Sequence, residues 1–268
     1  MKVYLMTDLE GVAGVLNRND WVHLGSPYYE KAKTLLTMEV NAAAEGFFNA
    51  GATEVLVSDG HGAGGIQPDL LDKRLLLMRG YPTGYPCGLT SDYDCLAWVG
   101  QHAKAGTPYA HIPHTGNHHV IDLSINGISV GELGQLAMCA GVLNVKPILA
   151  TGDKAMCIEA DALLPGIETV SVKEGLMPGS GDECTFEEYN SRNIAAVHIS
   201  PKNSRELIRD GSFRALKRFI EKPESFSDLK TEPPYEKTVI YRAGTGKPGY
   251  TFRTGGHGTP WDAINARP

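Results

Sequence analysis

Short apolar runs alternate with longer periodic segments along most of the chain. The runs are typical of buried strands and lie at Val3–Met6, Thr53–Asp59, Leu75–Met78, Cys95–His102, Pro147–Thr151 and Glu168–Lys173. The periodic segments predict helices at Tyr28–Ala50, Glu132–Leu143 and Asp153–Leu164. Strands that alternate with helices predict an α/β fold with a mainly parallel sheet and flanking helices.

The C-terminal part of the chain follows a different pattern. Asn126-Gly127 stands between two apolar runs, which is a strong signal for a β-hairpin. Asn17–Pro27 and Met177–Asp182 are predicted loops, and Pro201–Glu221 is a predicted amphipathic helix. Further predicted strands at 238–242 and 250–253 flank a loop at 243–249. A change of composition predicts a metal-binding α/β catalytic domain at residues 1–190 and a smaller C-terminal α+β domain at residues 191–268.

Composition narrows the classes of function and location. The 268 residues carry a net charge of −6, which argues against a nucleic-acid partner. No apolar run approaches the roughly 18–20 residues that a membrane span requires, and the first residues do not predict a signal peptide. Five cysteines without a Cys-x-x-Cys motif are more typical of reduced thiols than of a disulfide framework. We therefore expect a cytoplasmic protein.

Acidic and histidine residues follow several of the predicted strands. Asp8 and Glu10 stand two positions apart after the first strand, so their side chains share a face. Two carboxylates held this close need a cation or protons to offset their repulsion. His61 follows the second strand, His102 ends a later one, and Glu132 opens a helix. Because ligands bind at the carboxyl ends of strands in such sheets, these residues predict a pair of divalent ions, most simply zinc.

Other motifs offer competing interpretations. Gly60 to Gly65 matches a dinucleotide-binding pattern, but Pro68 follows almost at once and no acidic residue stands near position 80. Four of the nine histidines lie within nine residues, and any of them could transfer protons: His111, His114, His118 and His119. No serine or cysteine stands in a nucleophile motif, which argues against covalent catalysis.

Several of these pieces together resemble the metal-dependent D-aminopeptidases of bacterial dipeptide-transport operons. The resemblance rests on Asp8-Leu-Glu10-Gly-Val, Glu54 to His61, Gly100 to Pro108, His114-Thr, and Asn126 to Gly134, in the family's order and with near-family spacing. It covers roughly residues 1 to 175.

The resemblance implies a dinuclear zinc peptidase that removes N-terminal D-amino acids from short peptides. It implies that Asp8 bridges two zinc ions per subunit, with Glu10 and His102 on one ion and His61 and Glu132 on the other. It also implies that His114 is the catalytic histidine. The family's subunits form a decamer of two stacked pentameric rings, so the resemblance implies a homo-oligomer.

Two features depart from the family pattern. The stretch between His102 and His114 is one residue longer, which leaves His111 as an alternative to His114. The C-terminal part is short and atypical, which affects substrate preference and assembly. Two alternatives remain: another metal-dependent hydrolase on the same site, such as an amidase or a phosphoester hydrolase, or a catalytically silent metal-binding scaffold.

Overall fold

The structure, a computed structural model, describes residues 1–244 and 246–268. Its main element is a seven-stranded sheet in which all neighbouring strands are parallel except the last pair. The strand order is β3-β2-β1-β4-β7-β8-β9. The strands are β1 (Lys2–Thr7), β2 (Glu54–Asp59), β3 (Leu76–Arg79), β4 (Cys95–Gln101), β7 (Lys146–Asp153), β8 (Glu168–Gly175) and β9 (Ala196–His198). The predicted mainly parallel α/β sheet is confirmed.

Alternate residues of the central strands pack into two separate cores. Val3 and Leu5 of β1 point into one core, whereas Tyr4 and Met6 point into the other. The first core includes α2 (Tyr29–Ala50) and α6 (Pro201–Glu221), and the second includes α3 (Glu132–Leu143) and α4 (Lys154–Leu163). Burial on both faces explains why the strands read as continuous apolar runs.

A second sheet packs against the core that contains α3. It is antiparallel, in the order β11-β10-β5-β6, and consists of β5 (Val120–Ile125), β6 (Ile128–Ser129), β10 (Tyr235–Tyr241) and β11 (Tyr250–His257). The predicted hairpin is confirmed: Asn126 and Gly127 have φ values of 49° and 79°, as a two-residue turn between paired strands requires.

The sequence patterns missed several short elements. The predicted loop at Asn17–Pro27 is wrong in part, because it contains α1 (Arg18–Trp21), whose first turn is capped by the Asn17 side chain. The strand β9 and the helices α5 (Phe186–Arg192) and α7 (Pro260–Asn265) were also not predicted. Elements this short carry too few residues for a period to stand out. The predicted loop at 243–249 includes residue 245, which lies outside the described residues.

The smaller predicted domain is in close contact with the larger one. The α6 helix packs on α2, where a Cβ added at Gly46 would lie 2.2 Å from the Arg209 carbonyl oxygen. The β10 strand pairs with β5. The boundary at residue 190 remains a prediction. All five cysteines are free thiols. Within 1–244 and 246–268, no helix has both the length and the apolar character to cross a membrane.

Candidate metal centre

Three of the predicted ligands meet where β1 and β2 end. Asp8 and Glu10 follow β1 and His61 follows β2, and these strands are parallel neighbours. Their carboxyl ends therefore lie at the same sheet edge. His61 Nδ1 lies 3.0 Å from Asp8 Oδ1 and 3.2 Å from Glu10 Oε2. All three side chains are buried, and together they form a group with the geometry to hold a metal ion, here called the β1–β2 group.

A second set of ligands lies beside the first. His102 follows β4, Glu132 is the first residue of α3, and His114 lies in the connection between β4 and β5. Glu132 Oε1 is 3.7 Å from His102 Nε2 and 3.8 Å from His114 Nε2. These three residues, here called the β4–α3 group, also have the geometry to hold an ion. An ionised Glu132 is favoured at this position because the helix dipole is positive at its N-terminus.

Asp8 connects the two groups through its two carboxylate oxygens. Oδ1 faces His61, and Oδ2 lies 3.2 Å from His102 Nε2. This is the placement that a bridging carboxylate needs. Apart from Asp8, the carboxylate beside His61 is Glu10 at 3.2 Å, and the carboxylate beside His102 is Glu132 at 3.7 Å. The division of ligands implied by the resemblance therefore takes one ligand for each ion from each group.

Backbone carbonyls orient all three histidines in the same way. His61 Nε2 donates to the Val22 carbonyl at 2.8 Å, His102 Nδ1 to the Ala103 carbonyl at 2.9 Å, and His114 Nδ1 to the Ile112 carbonyl at 3.1 Å. The other nitrogen of each ring faces carboxylate oxygens, and in the neutral ring it carries the lone pair that a metal ion would take. Metal-binding histidines commonly have this arrangement, in which the second nitrogen fixes the ring and its tautomer.

Burial and charge set the protonation of the β1–β2 and β4–α3 groups. Burial lowers the pKa of His61, but Glu10 and Asp8 outweigh it and raise the pKa to about 12. Burial likewise opposes protonation of His102, whereas Asp8 and Glu132 raise its pKa to about 10. Burial raises the pKa of Asp8, yet contacts with His102 and His61 bring it below its usual range. The carboxylates therefore demand positive charge from protons or from a cation.

Two buried atoms show that the residues fit a cation. Glu10 Oε2 and His102 Nε2 are shielded from solvent and have no aligned hydrogen-bond partner among the described residues. Such atoms are costly to bury unless something else satisfies them. The mixed imidazole and carboxylate donors are the set that zinc takes in proteins. The donor chemistry and the orphaned atoms fit the predicted metal.

A tight backbone crossing places Asp8. Gly100 in β4 has φ of +77°, and a Cβ added there would lie 2.0 Å from the Asp8 carbonyl oxygen. The Gly100 carbonyl accepts a hydrogen bond from Gly11 N at 2.8 Å. A side chain at position 100 would therefore displace the segment that carries both acidic residues.

The four clustered histidines have different surroundings. His114 stacks on His102 with ring centroids 4.0 Å apart, and His118 stacks on the other face of His114 at 4.8 Å. His119 stacks on Phe186. His111 Nε2 donates to the Leu16 carbonyl at 3.1 Å, away from both groups, and burial lowers its pKa to about 2. The structure thus brings His114, and not His111, beside Glu132.

The glycine-rich segment after β2 does not lead into a helix. Residues 61–67 form a bend, a turn and irregular backbone, and the next helical turn is a short 3₁₀ helix at Pro68–Leu70. Gly65 N donates to Asp59 Oδ1 at 2.8 Å. A dinucleotide site would need a helix N-terminus facing the phosphates, so the segment lacks what that interpretation requires.

A cavity of about 600 Å³ opens beside the ligands. Asp8, Glu10, His61, His114 and Glu132 line one part of it. Its remaining walls include Tyr81, Tyr85 and Trp98, together with residues of β10 and of the C-terminal segment. The size is in the range of small-molecule sites, and the polar ligands converge on it.

Sequence reasoning did not find the groups that position the histidines. Three of them are the main-chain carbonyls of Val22, Ala103 and Ile112. Every residue has such a carbonyl, so the residue type does not indicate which one contacts a histidine. Ile112 has a φ of 54°, a backbone conformation that an isoleucine in the sequence does not predict. The stacking partner His118 stands in the histidine cluster, which was the available signal. The C-terminal residues of the cavity wall had no signal.

The chain is similar to known proteins of one family. A family described as D-aminopeptidase matches residues 1–245. A curated relative, the D-aminopeptidase of Bacillus subtilis (strain 168), is 33% identical over 177 residues, which is 65% of this chain and 64% of the relative. The matched stretch thus spans less than two thirds of the relative's own length.

A solved structure shares the fold. It is described as the Zn-dependent D-aminopeptidase DppA from Bacillus subtilis, a self-compartmentalizing protease. It superposes with a TM-score of 0.81 at 23% identity and covers 98% of this chain and 95% of the other. The family match extends over most of the 268 residues. The chain belongs to the D-aminopeptidase family.

Proposed function

We propose that the protein is a zinc-dependent aminopeptidase that hydrolyses short peptides and releases N-terminal D-amino acids. The observation that carries this proposal is the pair of ligand groups joined by Asp8 at the wall of a cavity of about 600 Å³. The names of the relatives, a D-aminopeptidase and a Zn-dependent D-aminopeptidase, support the substrate and the metal. The open cavity favours a catalytic site over a closed structural one.

Five side chains would hold two zinc ions in each subunit. Asp8 would be the shared ligand, since its two oxygens face different histidines. By the family resemblance, Glu10 and His102 would complete one site, and His61 and Glu132 would complete the other. Zinc supplies a Lewis acid that polarises a peptide carbonyl and lowers the pKa of water toward neutrality.

His114 is the proposed catalytic residue. Its Nδ1–H is engaged by the Ile112 carbonyl, so Nε2 is the atom that can accept a proton and pass it to the leaving amine. Stacking between His102 and His118 holds the ring plane in place. Fixing the ring before the reaction reduces the entropy that catalysis would otherwise have to overcome.

Assembly and location complete the proposal. We propose a homo-oligomer, and a decamer by the family resemblance; the solved relative is described as self-compartmentalizing. Light scattering should then give about ten times the 28.9 kDa of one chain, and a monomer mass would contradict it. Five free thiols support a reducing, cytoplasmic environment.

The first experiment compares turnover of D-alanyl and L-alanyl p-nitroanilide. Chelated protein should be inactive, and zinc should restore activity with preference for the D-isomer. The His114→Ala variant should keep its zinc and lose activity by about 100-fold or more, as expected for a general acid–base. The variant His257→Ala, in β11 outside both groups, is the matched control. Zinc-loaded protein that cleaves neither isomer would contradict the proposal.

A further inference from the structure

The cavity beside the candidate metal centre has cations on its β10 wall. Lys237 and Arg267 both line it, and neither has a carboxylate within 4 Å among the residues that the structure describes. Lys237 is only 6% exposed. Its ammonium donates to the carbonyls of Ile264 at 2.6 Å and Ala266 at 3.1 Å, which leaves one of its three hydrogens for another acceptor.

A buried ammonium without a counter-ion is energetically costly. Burial, together with the nearby guanidinium of Arg267, lowers the pKa of Lys237 to about 8. The buried Lys237 and the exposed Arg267, two cations that line one cavity and repel each other, would be stabilised by an anion that enters it. The structure supplies none from the chain itself within the described part.

The cations stand apart from the histidines along the strand. Lys237, Val239 and Tyr241 are alternate residues of β10, and all three line the cavity. Tyr241 pairs with Val120, two residues after His118, whereas Lys237 pairs with Ile125. Four residues of strand separate the two ends by about 13 Å.

We propose that Lys237 and Arg267 form a subsite for the C-terminal carboxylate of the substrate peptide. The inference rests on the proposed function, because the candidate metal centre then receives the other end of the peptide. A chain of about four residues, at about 3.5 Å per residue, spans about 14 Å and so covers the distance between the two ends of the cavity. The substrate class is therefore short peptides with a free C-terminus.

The third cation of the cavity wall lies on the other side. Arg18 of α1 interacts with Glu10 of the candidate metal centre. Arg18 serves as an internal comparison. If positive charge in the cavity were enough to bind the carboxylate, removal of Arg18 would also lower the preference for the acid. If Lys237 had a purely structural role and only bound the carbonyls of Ile264 and Ala266 at the end of α7, activity would not depend on the peptide's C-terminus.

The test compares the tetrapeptide D-alanyl-L-alanyl-L-alanyl-L-alanine, which is long enough to span about 13 Å, with its C-terminal amide. Wild type should cleave the free acid with a kcat/KM about 10- to 100-fold higher, mainly through KM, because a charge-assisted hydrogen bond is lost in the amide. Lys237→Met and Arg267→Gln should each bring this ratio toward one. Arg18→Gln should keep the ratio. Lys217→Met, an exposed charge on α6, is the control for loss of one cation.

Different outcomes separate the two proposals. Turnover with equal kcat/KM for acid and amide would overturn the carboxylate subsite and leave the peptidase proposal intact. The same holds if the preference for the acid is lost in Arg18→Gln but kept in Lys237→Met and Arg267→Gln. Absence of any turnover would count against the peptidase proposal. Calorimetric binding of the same two compounds to the zinc-loaded protein then decides the subsite: tighter binding of the acid supports it, and equal affinity overturns it. Arg267→Gln serves if Lys237→Met does not fold.

Discussion

Glu39 of α2 is a buried carboxyl whose ionisation opposes folding. Its Oε1 accepts hydrogen bonds from Ser204 Oγ at 2.7 Å and from Ala13 N at 3.1 Å. Its Oε2 is buried and has no aligned partner in the described part of the chain. Burial raises the pKa of Glu39 from 4.5 to about 7, although these two hydrogen bonds and Lys173 partly oppose the shift.

The raised pKa makes the free energy of unfolding depend on pH. Between pH 4.5 and about 7 the folded state binds more protons at Glu39 than the unfolded state does. Stability therefore falls as the pH rises through this window and stays lower above it. A shift from 4.5 to about 7 corresponds to a loss of about 3 kcal/mol, of which about 2 kcal/mol falls between pH 5.5 and 8.

The substitution Glu39→Gln should remove this loss. The glutamine oxygen can keep both hydrogen bonds, and its amide nitrogen takes the place of the unpartnered oxygen. We expect the variant to gain about 2 kcal/mol relative to wild type when the pH is raised from 5.5 to 8. Urea unfolding at both pH values, with zinc held constant, measures the gain.

The matched control is Glu45→Gln on the same helix. Glu45 is exposed, so the substitution should change stability equally at both pH values. If Glu39→Gln and wild type show the same pH dependence of unfolding, the reasoning from burial is refuted. It is also refuted if Glu45→Gln reproduces the effect of Glu39→Gln.

Two further substitutions test how the backbone supports the site and the second sheet. Gly100→Ala should lower stability by about 3 kcal/mol or more and reduce zinc content, since a Cβ would lie 2.0 Å from the Asp8 carbonyl oxygen; full zinc content with unchanged unfolding would contradict this. Asn126→Ala should cost about 1–3 kcal/mol in urea unfolding without affecting zinc, because its side chain donates to the Glu232 carbonyl at 3.0 Å and accepts from Glu236 N at 2.7 Å. An Asn126→Ala protein as stable as wild type would refute that account.

The regular elements followed from local patterns. The apolar runs predicted β1, β2 and β4 because strands buried on both faces require such runs. Asn126-Gly127 predicted the hairpin because both residues tolerate positive φ. The three-residue β9 was missed, since its pairing with β8 comes from packing and not from any pattern of its own.

The sequence could predict those site residues that stand at the ends of neighbouring parallel strands. Residues that end parallel neighbouring strands must approach each other, which explains why Asp8, His61 and His102 converge. The position of His114 did not follow from this rule. It lies in a long connection, and only the folded backbone brings its ring onto His102 at 4.0 Å.

The sequence by itself determined the α/β class, the turn at Asn126-Gly127 and the acidic and histidine residues at the strand ends, because these depend on local periodicity and residue chemistry. The tertiary structure alone decided which carbonyl orients each imidazole, which oxygen of Asp8 faces which histidine, and that Lys237 and Arg267 line the same cavity. These contacts join residues that are distant in the chain or involve the main chain, which is the same at every position. No local pattern of side chains records them.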